Sequence, residues 1–202
     1  DAQQSRMAMD LVGVPIPVIF SEFQLDIRFL AVARRGGTPI DTLQADESGR
    51  VVADELEHIL FNGNSTVWGG TPIYGYLNHP NRNTAAGASW GTATNIYPNV
   101  LTMFGALRAD NVPGPYMLYL HHDQYMESLV LSDTTNQISV RQSILNSIPQ
   151  LIDIKDNPKV PAGQGVMVSL DRRTVDLAVA EDFTTVEWES RGGLTTHYPG
   201  MT

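Results

Sequence analysis

The sequence predicts an α+β fold. Three observations carry this expectation: a long amphipathic helical pattern over residues 43–61, an alternating strand pattern just before it, and short apolar strands interleaved with helices after residue 95. Apolar residues recurring every three to four positions mark a helix with one buried face, and alternation at every second position marks a strand with one covered face.

The elements follow in chain order. Phe23, Leu25, Ile27 and Phe29 alternate with Glu22, Gln24, Asp26 and Arg28, which predicts a half-covered strand. Upstream, Val14 to Phe20 is apolar but carries Pro15 and Pro17, so it suits an edge strand or an unpaired arm. Leu30 to Arg35 can turn helical before the break at Gly36-Gly37. Asp41 or Thr42 can then cap the long helix, whose Val52, Leu56, Ile59 and Leu60 share one face. Its expected length is ~28 Å, and Asn62-Gly63 stops it.

Residues 62–95 are rich in Gly, Asn, Thr and Ser, with Trp68, Tyr74, Tyr76 and Trp90 interspersed. Aromatic residues at that density predict an ordered long loop that serves as an interaction surface. Asn95 is the expected cap of the next helix, with Pro98 in its first turn and Val100, Leu101, Phe104 and Leu107 as its apolar stripe. A buried strand follows at Tyr116–Leu120, then helices at Asp123–Leu131 and Ser139–Ile148. Strands are expected at Leu151–Ile154, Val166–Leu170, Thr174–Ala180 and Thr184–Glu189.

Composition narrows the function classes. The chain has 202 residues, 42% hydrophobic and 17% charged, which suits one packed domain with or without an extension. The absence of cysteine removes disulfides, thiolate metal sites and cysteine nucleophiles. Twenty-two acids against thirteen basic residues give a net charge of -9, which argues against broad contact with a phosphate backbone. No apolar run approaches a membrane span, so no membrane partner is expected. The chain opens on Asp1 and shows no signal peptide, and a processed or trimmed product is expected.

Candidate chemistry is thin. His121-His122-Asp123 offers three ligand types in a row, but neighbours on a strand face opposite ways, so only His121 and Asp123 could share an ion. The blander expectation is that Asp123 caps the next helix. Asp46, Glu47, Asp54, Glu55 and Glu57 fit the solvated face of a helix better than a pair of catalytic acids. The glycines near Trp68 and at Gly163 and Gly165 lack the lysine and the strand–turn–helix setting of a phosphate loop. No serine occupies a nucleophile elbow. Arg34-Arg35 and Arg172-Arg173 suit ion pairs with acidic neighbours. No catalytic residue, cofactor or metal is expected. The unexplained features are the proline-punctuated arm and the aromatic loop, both suited to meeting another copy of the chain.

Those features also carry a resemblance. The stretch from Phe20 to Gly36, then Ile40-Asp41, then Val52 to Gly63, resembles the extended loop and spine helix of encapsulins and tailed-phage major capsid proteins, which share the Hong-Kong-97-type capsid fold. Ile73 to Asn78 is similar to the short I-x-G-L stretch after the spine helix, and Gly114 to Leu120 to the G-P-Y-x-L strand of the axial domain. The similarity covers residues 14–198. The family's N-terminal arm and helix have no counterpart after Asp1, and the chain ends soon after the last expected strand.

The resemblance implies an extended loop at 14–37, a peripheral domain at 38–94 containing the spine helix 43–61, a mixed α/β axial domain at 95–185 and a return strand in 186–202. It implies a major capsid protein that self-assembles into an icosahedral shell of pentamers and hexamers around a viral DNA genome, without sequence-specific binding. Decoration or scaffold proteins are further implied partners, and the location is the virion, assembled in host cytoplasm. The alternative within the fold is an encapsulin nanocompartment shell; the alternative of another class is a metal-dependent enzyme using His121 and Asp123. The intersubunit contact candidates are Phe23, Leu25, Ile27, Phe29, Arg34 and Arg35.

One prediction follows from lysine usage. Some shells of this fold join a lysine to a neighbour's asparagine, which needs a neutral amine nucleophile. Lys155 and Lys159 are the chain's two lysines, and none lies between Val14 and Gly37. The arginines there stay protonated and cannot substitute. Particles boiled in SDS should therefore release one band at monomer mass; a ladder of multimers would refute this.

Overall fold

A computed structural model describes residues 16–37, 40–68, 71–133, 137–186, 188–190 and 195–201. Strand β1 (Phe20–Asp26) leads directly into helix α1 (Ile27–Arg35), and helix α2 (Ile40–Asn62) follows. A hairpin, β2 (Asn64–Trp68) and β3 (Thr71–Ile73), precedes an irregular stretch and helix α3 (Ala93–Ala109). Next come β4 (Tyr116–Leu120), α4 (His122–Ser128), β5 (Leu131–Asp133), β6 (Ile138–Ser139), α5 (Val140–Ser147), β7 (Leu151–Asp156) and β8 (Gly165–Ser169). The chain closes with β9 (Thr184–Thr185), β10 (Trp188–Ser190) and β11 (Thr195–Met201).

The main core is built around β4. Its burial alternates, with Tyr116, Leu118 and Leu120 all fully buried. It is the middle strand of the order β7-β4-β8, parallel to β7 and antiparallel to β8. The parallel pair needs a long crossover, and residues 121–150 supply it with α4, the β5–β6 hairpin and α5. Ile96 and Val100 of α3 and Val140, Ile144 and Ile148 around α5 complete the core. Each such aliphatic side chain stabilises by roughly 1.5–3 kcal/mol on burial. Tyr116 is buried with its hydroxyl donating to the Val112 carbonyl at 2.6 Å, so its polar end is satisfied.

The second sheet joins sequence-distant segments. β1 pairs antiparallel with β11, from Phe20↔Met201 to Asp26↔Thr195, and β9 and β10 pair with β11 as well. On β1 the face bearing Ser21, Phe23 and Leu25 is the covered one, and α2 packs on this sheet. Ser48 of α2 donates to the Ser21 carbonyl at 3.3 Å.

Several expectations need correction. The strand stops at Asp26 rather than reaching Phe29, because the Asp26 carboxylate accepts from the Arg28 amide at 2.8 Å and starts a helix. Ile27 and Phe29 are therefore helical, and the alternation past residue 26 has no strand to serve. Leu25 belongs to the chain's own core at 3% exposure, so it is not free to meet a neighbour. α3 begins two residues before Asn95, with Thr92 at its cap and Pro98 inside the helix. α4 ends at Ser128, and Leu131 pairs with Ser139 in a hairpin instead. Thr174–Ala180 is not a strand: Thr174 and Val175 donate to the Asp171 carbonyl in a turn. The last strand is Thr195–Met201, beyond the strand expected at Thr184–Glu189. The 14–15 end of the arm and Gly69-Gly70 lie outside the described residues.

Much of the expected 62–95 loop is an anchored return. Every helix leaves its last four carbonyls without intrahelical donors. In α2 these are served by Gly63 N to Ile59 O (2.7 Å), Tyr76 N to Leu60 O (3.0 Å), Leu77 N to Phe61 O (2.9 Å) and Asn78 Nδ2 to Asn62 O (2.8 Å). The return is so close that a Cβ on Gly75 would stand 2.5 Å from the Gly63 nitrogen and 2.7 Å from the Phe61 carbonyl group. Gly63 has φ +71, in the left-handed region that favours glycine. Further on, Asn99 of α3 accepts from Ala88 N at 3.1 Å and donates to Ala88 O at 2.8 Å, pinning the chain before Trp90.

α2 is also tied to the central sheet. Beyond β7, buried Asn157 donates to Glu57 at 2.7 Å, Lys159 Nζ meets Asp54 at 2.7 Å, and Asn62 Nδ2 donates to the Lys159 carbonyl at 3.1 Å. The Phe61 ring stands edge-on to both Tyr76 and Tyr119. The hydrogen bond from Lys159 holds the Asp54 carboxyl below its usual range. A depressed acid stabilises above its unfolded pKa, and that contribution fades as pH falls through the folded value.

Two substitutions test this architecture. Gly75→Ala should lower stability by about 1–3 kcal/mol or more, since backbone cannot yield as a side chain can. Asn157→Ala should cost about 1–3 kcal/mol by removing a buried hydrogen-bond partner, with Gln24→Lys on the exposed face of β1 as a near-neutral control. Thermal unfolding followed by circular dichroism measures all three; a Gly75→Ala melt matching the parent would refute the close-return account.

Candidate functional site: assembly surfaces

The resemblance makes the first functional question which surfaces the fold leaves uncovered. The first lies at the N-terminal end. Ile16, Val18 and Phe20 are exposed before and at the start of β1, and on α1 Phe29 and Val32 are 53% and 68% exposed. On α1 Ala33 is buried, while Arg28, Ala31 and Arg35 are exposed beside Phe29 and Val32. Of the six expected contact residues, the structure leaves Phe29 and Arg35 open, half-buries Phe23 and buries Leu25. The side chains of Ile27 and Arg34 lie outside the described residues.

The second surface was missed in the sequence. Met126, Leu129, Val130 and Leu131 are exposed at the corner between α4 and β5. The signal was present as three consecutive apolar residues, but the helix expected at Asp123–Leu131 gave them no role of their own. A third set, Leu177, Val179, Phe183 and Val186, follows β8. The Phe183 ring lies 3.7 Å from where a Cβ on Gly49 would stand, so the glycine inside α2 lets that ring approach the helix.

An open groove of about 980 Å³ runs between the 79–90 segment, α3, β8 and residues 174–177. Asn83 bridges to Asp110 at 2.7 Å on its wall. Its lining mixes apolar and amide groups, with no cluster of acids or bases.

The metal-type residues do not converge. His121 is itself the cap of α4, accepting from the Asp123 amide at 3.3 Å, and its Nδ1 is 3.5 Å from the Asp123 carboxylate. This replaces the expected cap at Asp123. His122 turns to Asp156, 3.3 Å away. Among the described residues no group of three or more His, Asp or Glu is placed to hold an ion, and no helix is long and apolar enough to cross a membrane. Three acids of α2 have partners of this kind: Glu47 in an exposed pair with Arg50, Asp54 with Lys159, and Glu57 with Asn157.

Comparison with known structures places this architecture. The capsid of Myoviridae phage XM1 superposes with a TM-score of 0.75 at 12% identity, covering 93% of this chain and 67% of that one. The virus-like particle of Pyrococcus furiosus gives 0.69 at 17% identity, covering 93% and 71%. Mycobacterium phage Che8 gives 0.53 at 9% identity, covering 92% and 64%. At such identities the likeness shows the fold, the Hong-Kong-97-type capsid fold expected from the sequence. Residues 2–197 match the Linocin_M18 family, described as encapsulating protein for peroxidase. With nearly its whole described length inside that match, the chain belongs to the encapsulin family of shell-forming proteins.

Proposed function

We propose that this chain is a non-catalytic subunit of a closed shell that encloses protein cargo. The observation that carries the reading is the family match across residues 2–197, to proteins described by what they encapsulate. The physical features support it. Apolar side chains stay exposed at three separate places, and a monomeric protein rarely leaves such patches uncovered. Copies of the chain would cover them, in pentamers and, in larger shells, hexamers. A net charge of -9 disfavours a grip on nucleic acid.

A second reading, a viral shell around DNA with decoration or scaffold partners, is favoured by the phage XM1 capsid, which has the higher TM-score of the neighbours described above. Both readings make the chain a building block, and they differ in contents. In the first the shell stands within a cell; in the second it is the virion.

The purified protein should form uniform closed particles in electron micrographs. Under the first reading, mass spectrometry should find a co-purifying protein inside, and the ultraviolet spectrum should be that of protein. Nuclease-protected DNA inside would replace it with the viral reading. Monodisperse 22 kDa material at all concentrations would defeat both.

A further inference from the structure

The central sheet ends on an open edge. Among the described residues β8 pairs with β4 alone. The Leu170 amide donates to the Pro115 carbonyl at 2.8 Å, and in an antiparallel ladder such bonded pairs recur at every second residue. Val168 and Val166 therefore turn their backbone groups toward β4, opposite Met117 and Tyr119. Gly165, Met167 and Ser169 turn theirs outward, toward the groove of about 980 Å³ that β8 borders. An unpaired edge of this kind is a template for an extended chain.

The next segment of the same chain matches that edge. Val175, Leu177 and Val179 alternate with Asp176 and Ala178, the pattern of a strand with one covered face, yet residues 175–179 form neither strand nor helix. Leu177 and Val179 are 55% and 57% exposed. The two ends of the segment set its direction. At one end of β8, Ser169 Oγ donates to the Pro113 carbonyl at 2.6 Å. At the other, Gly165 stands opposite Leu120, whose carbonyl accepts from the Asn157 amide, and Asn157 holds Glu57 of α2. Phe183 meets the same helix at Gly49, about 12 Å from Glu57 along its axis. The chain that leaves Ser169 for Phe183 thus heads back toward α2, antiparallel to β8, and residues 174–177 already border the groove.

A five-residue loop at 170–174, a common hairpin length, sets the register. Ser169 falls opposite Val175, Met167 opposite Leu177 and Gly165 opposite Val179. Opposite residues share a face of the sheet. Leu177 and Val179 then join Met167 and the fully buried Leu118, on the face that packs with Ile96 and Val100 of α3. Little holds the segment off. The Val175 amide donates to the Asp171 carbonyl at 3.1 Å, and Arg172 meets Asp176 at 3.3 Å between exposed side chains, a pair of small worth.

We propose that residues 175–179 close on β8 as a fourth strand of the central sheet. Closure moves the Val175 bond from the Asp171 carbonyl to that of Ser169 and fills the groove with Leu177 and Val179. The open form offers the β8 edge to an extended chain, and the closed form withdraws it. The device lies within one copy and stands whether or not copies form a shell.

The chain has no cysteine, so introduced pairs report closure directly. In the closed form Met167 and Leu177 are a bonded pair with Cα atoms about 5.5 Å apart, within disulfide range. M167C/L177C in a glutathione buffer should form a disulfide within one chain, about tenfold faster or more than M167C/A178C, whose second side chain faces the other way. Hydrogen exchange read by mass spectrometry gives a second measure without cysteines. Leu177→Pro removes the amide that bonds the Met167 carbonyl, and the Met167 amide should exchange about tenfold faster than in the parent. Circular dichroism confirms that each variant folds. Equal oxidation of the two cysteine pairs would overturn closure, and so would Met167 exchange that Leu177→Pro leaves unchanged. A disulfide joining two copies, seen as a doubled mass in non-reducing SDS, would overturn closure within one copy and assign the β8 edge to a neighbour's segment.

Discussion

The structure depends on how the C-terminal end of α2 is satisfied. Four carbonyls there need donors, and three of them find donors in one short segment, Tyr76 to Asn78, which must come back against the helix to reach them. That approach is possible because two glycines, Gly63 and Gly75, meet backbone to backbone. The same turn brings Tyr76 to the Phe61 ring, which also meets Tyr119 of the central sheet. Helix, return segment and sheet are thus fixed by one junction, to which Glu57–Asn157 and Asp54–Lys159 add polar links. A buried amide bond of this kind stabilises by about 1 kcal/mol, and the exposed end of the Lys159 pair adds less. Their larger effect is orientation, since they set the direction in which a long helix leaves the core.

The parts visible in the sequence were those whose environment is local and periodic. α2 was visible because apolar residues recur along it at helical spacing, although Leu56 of the expected face is 38% exposed, and β4 because five apolar residues follow a proline and form a short buried strand. The I-x-G-L-like stretch was seen as a pattern, but its work as a helix cap was not, since nothing in Ile73–Asn78 names the carbonyls it meets. β11 was not marked by its own residues, although the resemblance implied a return strand somewhere in 186–202. Thr195–Met201 contains Pro199 and Gly200 and lacks alternation, and its strand character comes from pairing with β1.

The candidate surface was half legible. Phe29 and Arg35, two of the expected contact residues, are exposed, but on a helix, because the period-two pattern ran past a capping signal at Asp26. Leu25 shows the converse: a strand position that looked available is taken by the chain itself. Periodicity tells that a side chain will be covered; it does not tell by which copy. The His121–Asp123 triplet shows the same limit in chemistry, since adjacent ligand types became a helix cap and a separate pair.

The β1–β11 pairing has a consequence in time. Phe20 meets Met201 across nearly the whole chain, and contacts of such separation form late. On the ribosome, β1 emerges early and then waits without its partner until residues 195–201 are released. The central sheet, whose strands lie between residues 116 and 169, can form well before that. A nascent chain therefore has its core before it has the sheet beside α2. The sheet beside α2 therefore closes only once residues 195–201 have been made, whereas the central sheet needs nothing beyond Ser169.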